Sequence, residues 1–355
     1  MSKVKVAILY GGKSVEHKIS LNSARNILEH IDKDKFEPFT IGISEQGDWY
    51  LTDGITSEFD ELTPLHFKLS NSSPTFVAGD QEYTADIIFP VLHGTDGEDG
   101  SIQGFLQAFD LPFAGSGVLG SAVSMSKLYS KRLLQAAGIP TSRFISVSGS
   151  ERDQLTYEHV SSQLGLPFMA KAANLGSSVG VSKVKSESDF AQAVEEGFKY
   201  DSLMLFEAFV NGRELECSIL GNDEAMASNP AEIVISPDYE FYTYEAKYLD
   251  PNAVELKVPA QLDQETAERI QELSLKAYQA LGCEDFARVD LFLTVDGEIL
   301  INEINTIPGF TNSSMFPMMW KERGISYKDL LTKIIDLAFE RRNKLKNISN
   351  EFTGA

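Results

Sequence analysis

The chain has 355 residues, of which 43% are hydrophobic and 23% are charged, and these fractions are ordinary for a globular protein. Its formal net charge of −21 disfavours a nucleic-acid partner, because the phosphate groups would be repelled. The two cysteines, Cys217 and Cys283, are too few for a disulfide framework. No apolar run approaches the roughly 20 residues of a membrane span, and no signal peptide is recognisable. We therefore expect a cytoplasmic protein without a membrane partner.

Residues 1–120 predict a doubly wound α/β domain with a largely parallel sheet, because strand patterns alternate with helical ones. The first strand is predicted to end at Gly11, and the helix that follows is predicted to have Ser20 as its N-cap. Further buried strands are predicted at residues 36–44 and 85–94.

The rest of the chain predicts a smaller α+β domain at residues 121–210 and a larger one at residues 211–355. Helices are predicted at 124–140, 186–200, 263–282 and 326–345, and strands at 167–173, 180–184, 203–210 and 214–221. A hairpin is predicted within residues 288–305.

The common nucleotide-binding motifs are incomplete in this sequence. The stretch GGKS at residues 11–14 lacks the glycine that a Walker A loop needs at position 7, where Ala7 stands. The stretch GSGVLG at residues 115–120 fits GxGxxG, but no acidic residue follows at the distance that a ribose contact requires. A tight turn into a helix is the better interpretation, and an NAD-dependent oxidoreductase remains an alternative from another functional class.

The stretch KAANLGSSVGVSK, residues 171–183, predicts a phosphate-binding loop. Glycine and serine residues at 176–180 form a small loop whose backbone N–H groups can surround phosphate oxygens, and Lys171 supplies a cation at the end of a strand. The competing interpretation is a surface hairpin loop that contains an incidental lysine.

Two further loops follow predicted strands, where open α/β sheets bind ligands. The segment HGTDGEDG places His93, Glu98 and Asp99 in one loop, and Glu16 follows the first strand. A carboxylate at this edge suits the ammonium group of a small amino acid. The alternatives are a solvated loop charge for Glu16 and a packed, backbone-bonded histidine for His93.

The segment at residues 236–253 is rich in tyrosine and has no clear helical or strand period. Loops of this length inside compact domains are usually functional, and we predict a lid. A loop that only covers the core is the alternative.

The predicted hairpin carries polar side chains among apolar ones. If Asp296 and Gly297 are the centre of a two-residue turn, Asp290 lies opposite Glu303 and Arg288 opposite Asn305. All four side chains then share one face of the sheet. Opposed carboxylates repel each other unless a cation lies between them, and two carboxylates with an amide suit Mg²⁺. The alternative is a structural ion network in which Arg288 neutralises both carboxylates.

Several blocks of sequence together resemble the D-alanine–D-alanine ligases, a family of ATP-grasp enzymes. The blocks are GGKSVEHKIS, HGTDGEDG, SMSK, GSSVGVSKV, YEAKY, ARVDLFL and NEINTIPGFT, and they occur in family order over most of the chain. The resemblance implies a doubly wound N-terminal domain followed by a two-part ATP-grasp fold. It also implies ATP-dependent ligation of two D-alanines through an acylphosphate, for peptidoglycan precursors and hence cell-wall synthesis.

The resemblance assigns roles to individual residues. ATP contacts are implied at Lys127, Lys171, Ser178, Glu207, Phe209, Val210, Glu214 and Lys247. Two Mg²⁺ ions are implied at Asp290, Glu303 and Asn305, and Mn²⁺ is an implied substitute for them. Catalytic roles are implied for Glu16, Ser177, Tyr248, Arg288 and Gly309. Substrate binding is expected at His93, Ser314 and Met315.

The sequence departs from the family at Ala172, where the family usually has proline, and this leaves the rigidity of the loop open. Tyr248 favours a dipeptide product over a depsipeptide. D-lactate and D-serine remain alternative acceptors, and a non-catalytic binding protein remains a more distant alternative. Family members are commonly homodimers, so a homodimer is expected. The sequence does not identify the base that deprotonates the attacking amine.

Overall fold

The computed structural model describes residues 2–68, 75–176, 180–236, 239 and 253–347. The predictions for residues 177–179 and for most of the lid therefore concern residues outside those described.

The first part of the chain folds around a four-stranded sheet of order β3-β2-β1-β7. Its strands are β1 (Val4–Gly11), β2 (Phe36–Ile43), β3 (Trp49–Thr52) and β7 (Ile87–Val91). β1 runs parallel to β2 and β7, and only the edge strand β3 is antiparallel, which confirms the largely parallel sheet. A smaller antiparallel sheet contains β4 (Leu65–Lys68), β5 (Thr75–Ala78) and β6 (Gln81–Tyr83). The helices here are α1 (His17–His30) and α2 (Ser101–Ala108).

The prediction that Ser20 caps the first helix is wrong. α1 begins at His17, so Ser20 lies inside the helix and is fully buried. Its hydroxyl accepts from the Gly11 N–H at 2.7 Å and donates to the Val91 carbonyl. The side chain thus joins the ends of β1 and β7 instead of capping its own helix.

A second four-stranded sheet is antiparallel, in the order β10-β9-β11-β8. Its strands are β8 (Phe144–Ser148), β9 (Phe168–Ala172), β10 (Val181–Val184) and β11 (Leu203–Ala208). The helices before and around it are α3 (Val118–Met125), α4 (Lys127–Ala136), α5 (Tyr157–Leu164) and α6 (Glu187–Tyr200), with a 3₁₀ helix at Gly149–Gln154. α6 starts with a capping box, in which the Ser186 hydroxyl accepts from the Asp189 N–H.

The third sheet has six strands in the described residues, in the order β15-β14-β12-β16-β17 with β13 beside β12. The strands are β12 (Gly212–Leu220), β13 (Met226–Ala227), β14 (Ala231–Ile235), β15 (Val254–Lys257), β16 (Phe286–Thr294) and β17 (Ile299–Asn305). The remaining helices are α7 (Gln264–Ala280), α8 (Met315–Glu322) and α9 (Tyr327–Lys346).

The hairpin of β16 and β17 has the predicted pairs but not the predicted turn. Gly297, at φ +81°, closes a turn by donating to the Thr294 carbonyl at 3.0 Å, and pairing resumes with Leu293 opposite Ile299. This connection is one residue longer than the two-residue turn. A bulge between Asp290 and Leu291 shifts the register back.

The largest apolar cluster joins the beginning and the end of the chain. It contains β1 and α1 side chains such as Ile8 and Ile27, and also Phe286, Phe310 and Ile334 from the C-terminal part. The boundaries near residues 120 and 210 stay predictions. Among the described helices, none has the length and apolar character needed to cross a membrane.

Candidate active site

Three adjacent strands of the third sheet present carboxylates on one face. Asp290 on β16 is paired with Glu303 on β17 and with Glu216 on β12. Arg288 is paired with Asn305 by the same ladder. The predicted convergence of these side chains is therefore confirmed, because alternate residues of paired strands share a face.

Arg288 binds Asp290 through one side of its guanidinium group, with Nε and one terminal nitrogen. Nε lies 2.7 Å from Oδ1 and Nη2 lies 2.7 Å from Oδ2, the geometry of a bidentate pair. The Asn305 amide donates to Oδ2 at 3.0 Å. Nε is also 3.1 Å from Oε2 of Glu216, which is buried.

Lys127, at the start of α4, brings a second cation to this face. Its Nζ lies 3.6 Å from Oε2 of Glu303 and donates to the Leu175 carbonyl at 2.6 Å. The Lys127 N–H donates to the Ala173 carbonyl at 3.0 Å, so the helix start is fixed against the end of β9. Arg288 and Lys127 together reduce the repulsion between the carboxylates, and the crowding alone does not require a metal.

Two lysines, Lys171 on β9 and Lys131 on α4, surround the buried Glu207 on β11 of the second sheet. Lys171 donates to Oε2 of Glu207 at 3.0 Å, and Nζ of Lys131 lies 3.5 Å from Oε1. Ser142 connects them, because its hydroxyl accepts from Lys131 at 2.9 Å and donates to Glu207 at 3.2 Å. Burial would raise the pKa of Glu207, but Lys131 and Lys171 outweigh it and lower that pKa to about 2.

The two lysines respond differently to this environment. Burial lowers the pKa of Lys131, and the attraction of Glu207 offsets it only in part. For Lys171, burial also acts to lower the pKa, but Glu207 and Glu303 prevail and raise it. Lys171 is thus a fixed cation within the field of both carboxylates.

The predicted adenine and ribose residues follow Glu207 along the chain. Phe209 and Val210 are half-buried just beyond β11, and the ring of Phe209 has Nζ of Lys183 4.1 Å from its centroid. Glu214 on β12 is half-buried and acts on the pKa of Lys171. Phe209 and Val210 thus lie in the short connection between β11 of the second sheet and β12 of the third, and Glu214 lies near the start of β12.

Glu16 lies where the first and second parts of the chain meet. Its carboxylate is so close to Gly94 that a Cβ there would be 2.5 Å from Oε2 of Glu16, and a Cβ at Gly176 would be 3.4 Å away. Gly176 belongs to the predicted phosphate loop. The sequence-predicted loops are therefore brought together around one buried carboxylate.

His93 is packed and backbone-bonded, in agreement with the alternative interpretation of this residue. Nδ1 lies 2.9 Å from the Ile307 carbonyl, and Nε2 lies 3.0 Å from the Ser23 hydroxyl. Ser23 also accepts from the Phe310 N–H at 3.2 Å. Because a carbonyl only accepts, Nδ1 carries the proton. His93 thus fixes the loop that contains Gly309, and burial lowers its pKa.

Glu98 fixes the same loop from the other side. Its carboxylate accepts from the Gly94 N–H at 2.8 Å and from the Ile307 N–H at 3.1 Å. Burial, together with the nearby Glu16 carboxylate, raises the pKa of Glu98 to about 8.

Gly309 and Ser314 are close neighbours. A Cβ at Gly309 would lie 2.8 Å from Oγ of Ser314, so this approach needs glycine. Ser314 accepts from the Thr311 N–H at 3.0 Å and stands at the N-cap position of α8. Met315 is the first residue of α8 and its side chain is buried, which leaves its backbone N–H as the group that can meet a ligand.

Backbone N–H groups of the GSGVLG loop make hydrogen bonds to carboxylates of the same chain. The Gly115 N–H donates to Asp285 at 2.9 Å and the Gly117 N–H donates to Glu284 at 3.2 Å. α3 begins directly afterwards at Val118. These bonds support the turn into a helix and use the N–H groups that a dinucleotide would need.

Comparisons with known proteins agree with this arrangement. Two family profiles match, "D-ala D-ala ligase N-terminus" at residues 5–116 and "D-ala D-ala ligase C-terminus" at residues 133–336. A D-alanine–D-alanine ligase of Shouchella clausii is 45% identical over 99% of this chain and 98% of its own length. D-alanine–D-alanine ligase A of Escherichia coli is 45% identical over 96% of this chain and 97% of its own length. The chain belongs to the D-alanine–D-alanine ligase family.

Solved structures show the same fold at full length. The D-alanine–D-alanine ligase of Coxiella burnetii has a TM-score of 0.87 at 34% identity and covers 98% of this chain and 97% of its own. The VanG D-Ala:D-Ser ligase of Enterococcus faecalis has a TM-score of 0.86 at 34% identity, with 95% and 100% covered. The fold class expected from the sequence is confirmed.

Four residues that the family resemblance assigns are not described by the structure. Ser177 and Ser178 in the glycine loop, and Lys247 and Tyr248 in the predicted lid, lie outside the described residues. Their roles stay predictions.

The buried residues of the site that were not predicted from the sequence include Lys131, Glu216 and Ser23. Lys131 follows Lys127 by one helical turn, and Glu216 follows Glu214 at strand spacing, so periodicity placed each beside a predicted residue. Ser23 carried no comparable signal, because its partners His93 and Phe310 are distant in sequence.

Proposed function

We propose that the protein joins two molecules of D-alanine to D-alanyl-D-alanine at the expense of ATP. This activity belongs to the synthesis of peptidoglycan precursors for the cell wall. Membership of the family over the full chain supports the proposal, as does a site whose cations and carboxylates come from all three parts of the fold.

The observation that carries the proposal is the contact of Lys127 with both halves of the site. Its ammonium lies against the glycine loop at Leu175 and against Glu303 on the third sheet. A triphosphate that extends from the glycine loop to the carboxylate face would therefore meet the Lys127 ammonium.

ATP would bind in the cleft between the second and third sheets. Lys127 and Lys171 supply charge for the phosphates, with Ser178 and Lys247 as further contacts. Glu207, Phe209, Val210 and Glu214 would surround the nucleoside. The Lys171 ammonium is already held by Glu207 and lies within the field of Glu303, so little reorganisation is required.

The residues present fit magnesium. Asp290, Glu303 and Asn305 offer two carboxylates and an amide oxygen on one face, and phosphate oxygens would complete the hard ligand set that Mg²⁺ prefers. The described residues contain no group of three or more His, Cys, Asp or Glu side chains that could hold a metal alone. Two Mg²⁺ ions, replaceable by Mn²⁺, would neutralise charge on the transferred phosphoryl group.

The first D-alanine would bind with its ammonium at Glu16, with Ser177 and Tyr248 in the same hydrogen-bond network. His93 would act by positioning the loop at residues 307–310. In this scheme the Gly309 N–H of this loop would face the reacting carboxyl group together with Arg288.

The reaction follows from these positions. A carboxylate oxygen of the first D-alanine attacks the γ-phosphorus, and the bond to the β-phosphate bridging oxygen breaks, which gives an acylphosphate and ADP. The second D-alanine, held by its carboxylate at Ser314 and the Met315 N–H, loses its ammonium proton, and its free amine then attacks the acyl carbon. Arg288 and the Gly309 N–H stabilise the resulting oxyanion, and phosphate leaves.

D-serine is the second candidate for the acceptor, because a D-Ala:D-Ser ligase has the same fold over nearly the full chain. The test measures phosphate release from Mg·ATP with D-alanine alone and with D-alanine plus D-serine or D-lactate, and the product mass is determined. We expect D-alanyl-D-alanine as the main product from every mixture. A D-alanyl-D-serine or depsipeptide product would contradict the proposed acceptor, and no D-alanine-dependent phosphate release would contradict the function.

We also propose that the protein acts as a homodimer in the cytoplasm, where ATP is made. Family resemblance supports both statements, and sedimentation of the purified protein tests the first.

A further inference from the structure

Glu216 is a buried carboxylate of the active face that the reaction above does not use. It lies on β12 directly opposite Asp290, and its Oε2 is 3.1 Å from Nε of Arg288. Only 5% of its side chain is exposed. Arg288 therefore lies between two carboxylates, of which only Asp290 is a proposed magnesium ligand.

Of the two carboxylates that contact Arg288, only Asp290 is also needed by the cation. In this structure the guanidinium group takes both oxygens of Asp290, the carboxylate that a bound cation also needs. Two positive groups on one carboxylate repel each other, so binding of the cation weakens the ion pair between Arg288 and Asp290. An arginine that leaves Asp290 requires another anion nearby, because an unpaired buried charge is costly.

We propose that Glu216 is a positioning residue that keeps Arg288 beside the reacting carboxyl group once the cation engages Asp290. This inference rests on the proposed function. Glu216 makes no contact with the reactants in this scheme and acts only through Arg288. If Glu216 loses its charge, Asp290 is the carboxylate that still holds Arg288. Arg288 then competes with the cation for Asp290, and the oxyanion donor is misplaced.

The test is a double-mutant cycle with Glu216→Gln, Arg288→Met and the double variant, because such a cycle isolates the coupling between two side chains. Calorimetry measures the affinity for a non-hydrolysable ATP analogue with and without Mg²⁺, and this readout needs no turnover. We expect Glu216→Gln to weaken binding of the magnesium complex about tenfold, or about 1.4 kcal/mol, and to leave metal-free binding unchanged. In the Arg288→Met background, Glu216→Gln should change the affinity for the magnesium complex less than about twofold. If the two side chains acted independently, the loss would again be about tenfold.

Glu232→Gln is the matched control. Glu232 is also a carboxylate of the third sheet that pairs with an arginine, Arg213, at 2.7 Å. It is the neighbour of Leu215 on β12 and therefore lies on the opposite face from Glu216. This control should keep wild-type nucleotide affinity and turnover even if it loses stability.

Kinetics separate a positioning role from a structural one. Glu216→Gln should lower kcat at least about tenfold, with a smaller change in KM for D-alanine, and Glu216→Asp should recover part of the loss. Unchanged magnesium-dependent affinity in Glu216→Gln, or an equal loss in the Arg288→Met background, would overturn the inference. If the wild type releases no phosphate with D-alanine, the proposed function fails, while the binding cycle still reports on Glu216.

Discussion

Among the residues that the structure describes, Arg288 and Lys127 are cations that contact the carboxylate face, and their partners differ. Arg288 is shared by Asp290 and Glu216, whereas Lys127 lies near Glu303 and a loop carbonyl. The guanidinium group is therefore held in a fixed plane, which suits an oxyanion donor. The lysine ammonium is a compact charge, which suits a phosphate.

Replacement of Arg288 by alanine should remove one oxyanion donor. We expect kcat to fall about 100- to 1000-fold with ATP and D-alanine saturating, the usual cost of losing such a donor. Steady-state phosphate release measures the effect. Turnover within about threefold of wild type would contradict the role, since that is less than 1 kcal/mol.

Glu207 should make the stability of the protein depend on pH in the acid range. Its pKa is depressed to about 2, so its stabilising contribution is complete above the unfolded value of about 4.3 and is lost as the pH falls towards 2. Glu207→Gln leaves Lys131 and Lys171 with less negative charge. At pH 6 the thermal midpoint of Glu207→Gln should lie below that of the wild type. The difference between the two midpoints should narrow as the pH falls towards 3. A constant gap over this range would contradict the assignment.

Individual side chains could be predicted from the sequence where local spacing decides their position. Strand alternation, together with a turn at Asp296 and Gly297, predicts that Arg288, Asp290, Glu303 and Asn305 share one face. Lys131 and Glu216 could not be assigned, because their roles depend on burial and on strand pairing between distant segments. The neutralisation of Glu303 by Lys127 was likewise invisible, and this made a metal appear necessary.

The hairpin of β16 and β17 shows how an element can be placed correctly for an incomplete reason. The predicted two-residue turn gave the right pairs at the active face, although the connection is longer than predicted and a bulge compensates for it. A bulge has no reliable signature in one sequence, since it depends on what the strand packs against.

Gly297 allows a specific test of this turn. Its φ is +81°, and a Cβ there would meet nothing within 4 Å, so Gly297→Ala should cost only the left-handed backbone penalty of about 1–2 kcal/mol. Chemical unfolding measures the loss, and kcat should be unchanged because the bulge and several pairs separate the turn from the active face. Gly11→Ala is the contrast, because its Cβ would lie 2.1 Å from the Ile43 carbonyl oxygen, and it should be far more destabilising. Equal losses for the two variants would contradict this account.

Ala172 shows that the departure from the family preserves the strand end. Its N–H donates to the Gly180 carbonyl at 3.3 Å, a bond that proline could not make. The pairing of β9 with β10 thus continues past Lys171 to Gly180.

On the scale of the whole molecule, the C-terminal helix joins the first part of the chain to the third sheet. Arg341 on α9 donates to the Phe113 carbonyl at 2.6 Å and to Asp285 at 3.1 Å, and Asp285 also accepts from the Gly115 N–H. The same parts share the largest apolar cluster. The sequence indicated three successive units but not this closure, because the pairing of Asp285 with Arg341 spans 56 residues and no local pattern reports it.

Replacement of Arg341 should make the stability of the protein depend more strongly on the ionisation of Asp285. Burial, partly offset by Arg341, raises the pKa of Asp285 to about 7. In Arg341→Met the pKa should rise further, and breaking such a buried pair typically costs about 3–5 kcal/mol. For a carboxyl with a raised pKa, stability is lost as the pH rises through the folded value, so the variant should lose more at pH 8 than at pH 6. Thermal midpoints measure the gap, and a gap that narrows with rising pH would contradict the assignment.

The most direct test of the complete site follows the carboxylate oxygen of the first substrate. D-Alanine labelled with ¹⁸O in its carboxyl group is incubated with Mg·ATP and the enzyme, and the released phosphate is analysed by mass. Transfer of the γ-phosphoryl group to the carboxylate predicts one ¹⁸O atom in each inorganic phosphate and ADP as the other product. Unlabelled phosphate, or label in AMP, would contradict phosphoryl transfer at the face formed by Lys127, Arg288 and Asp290.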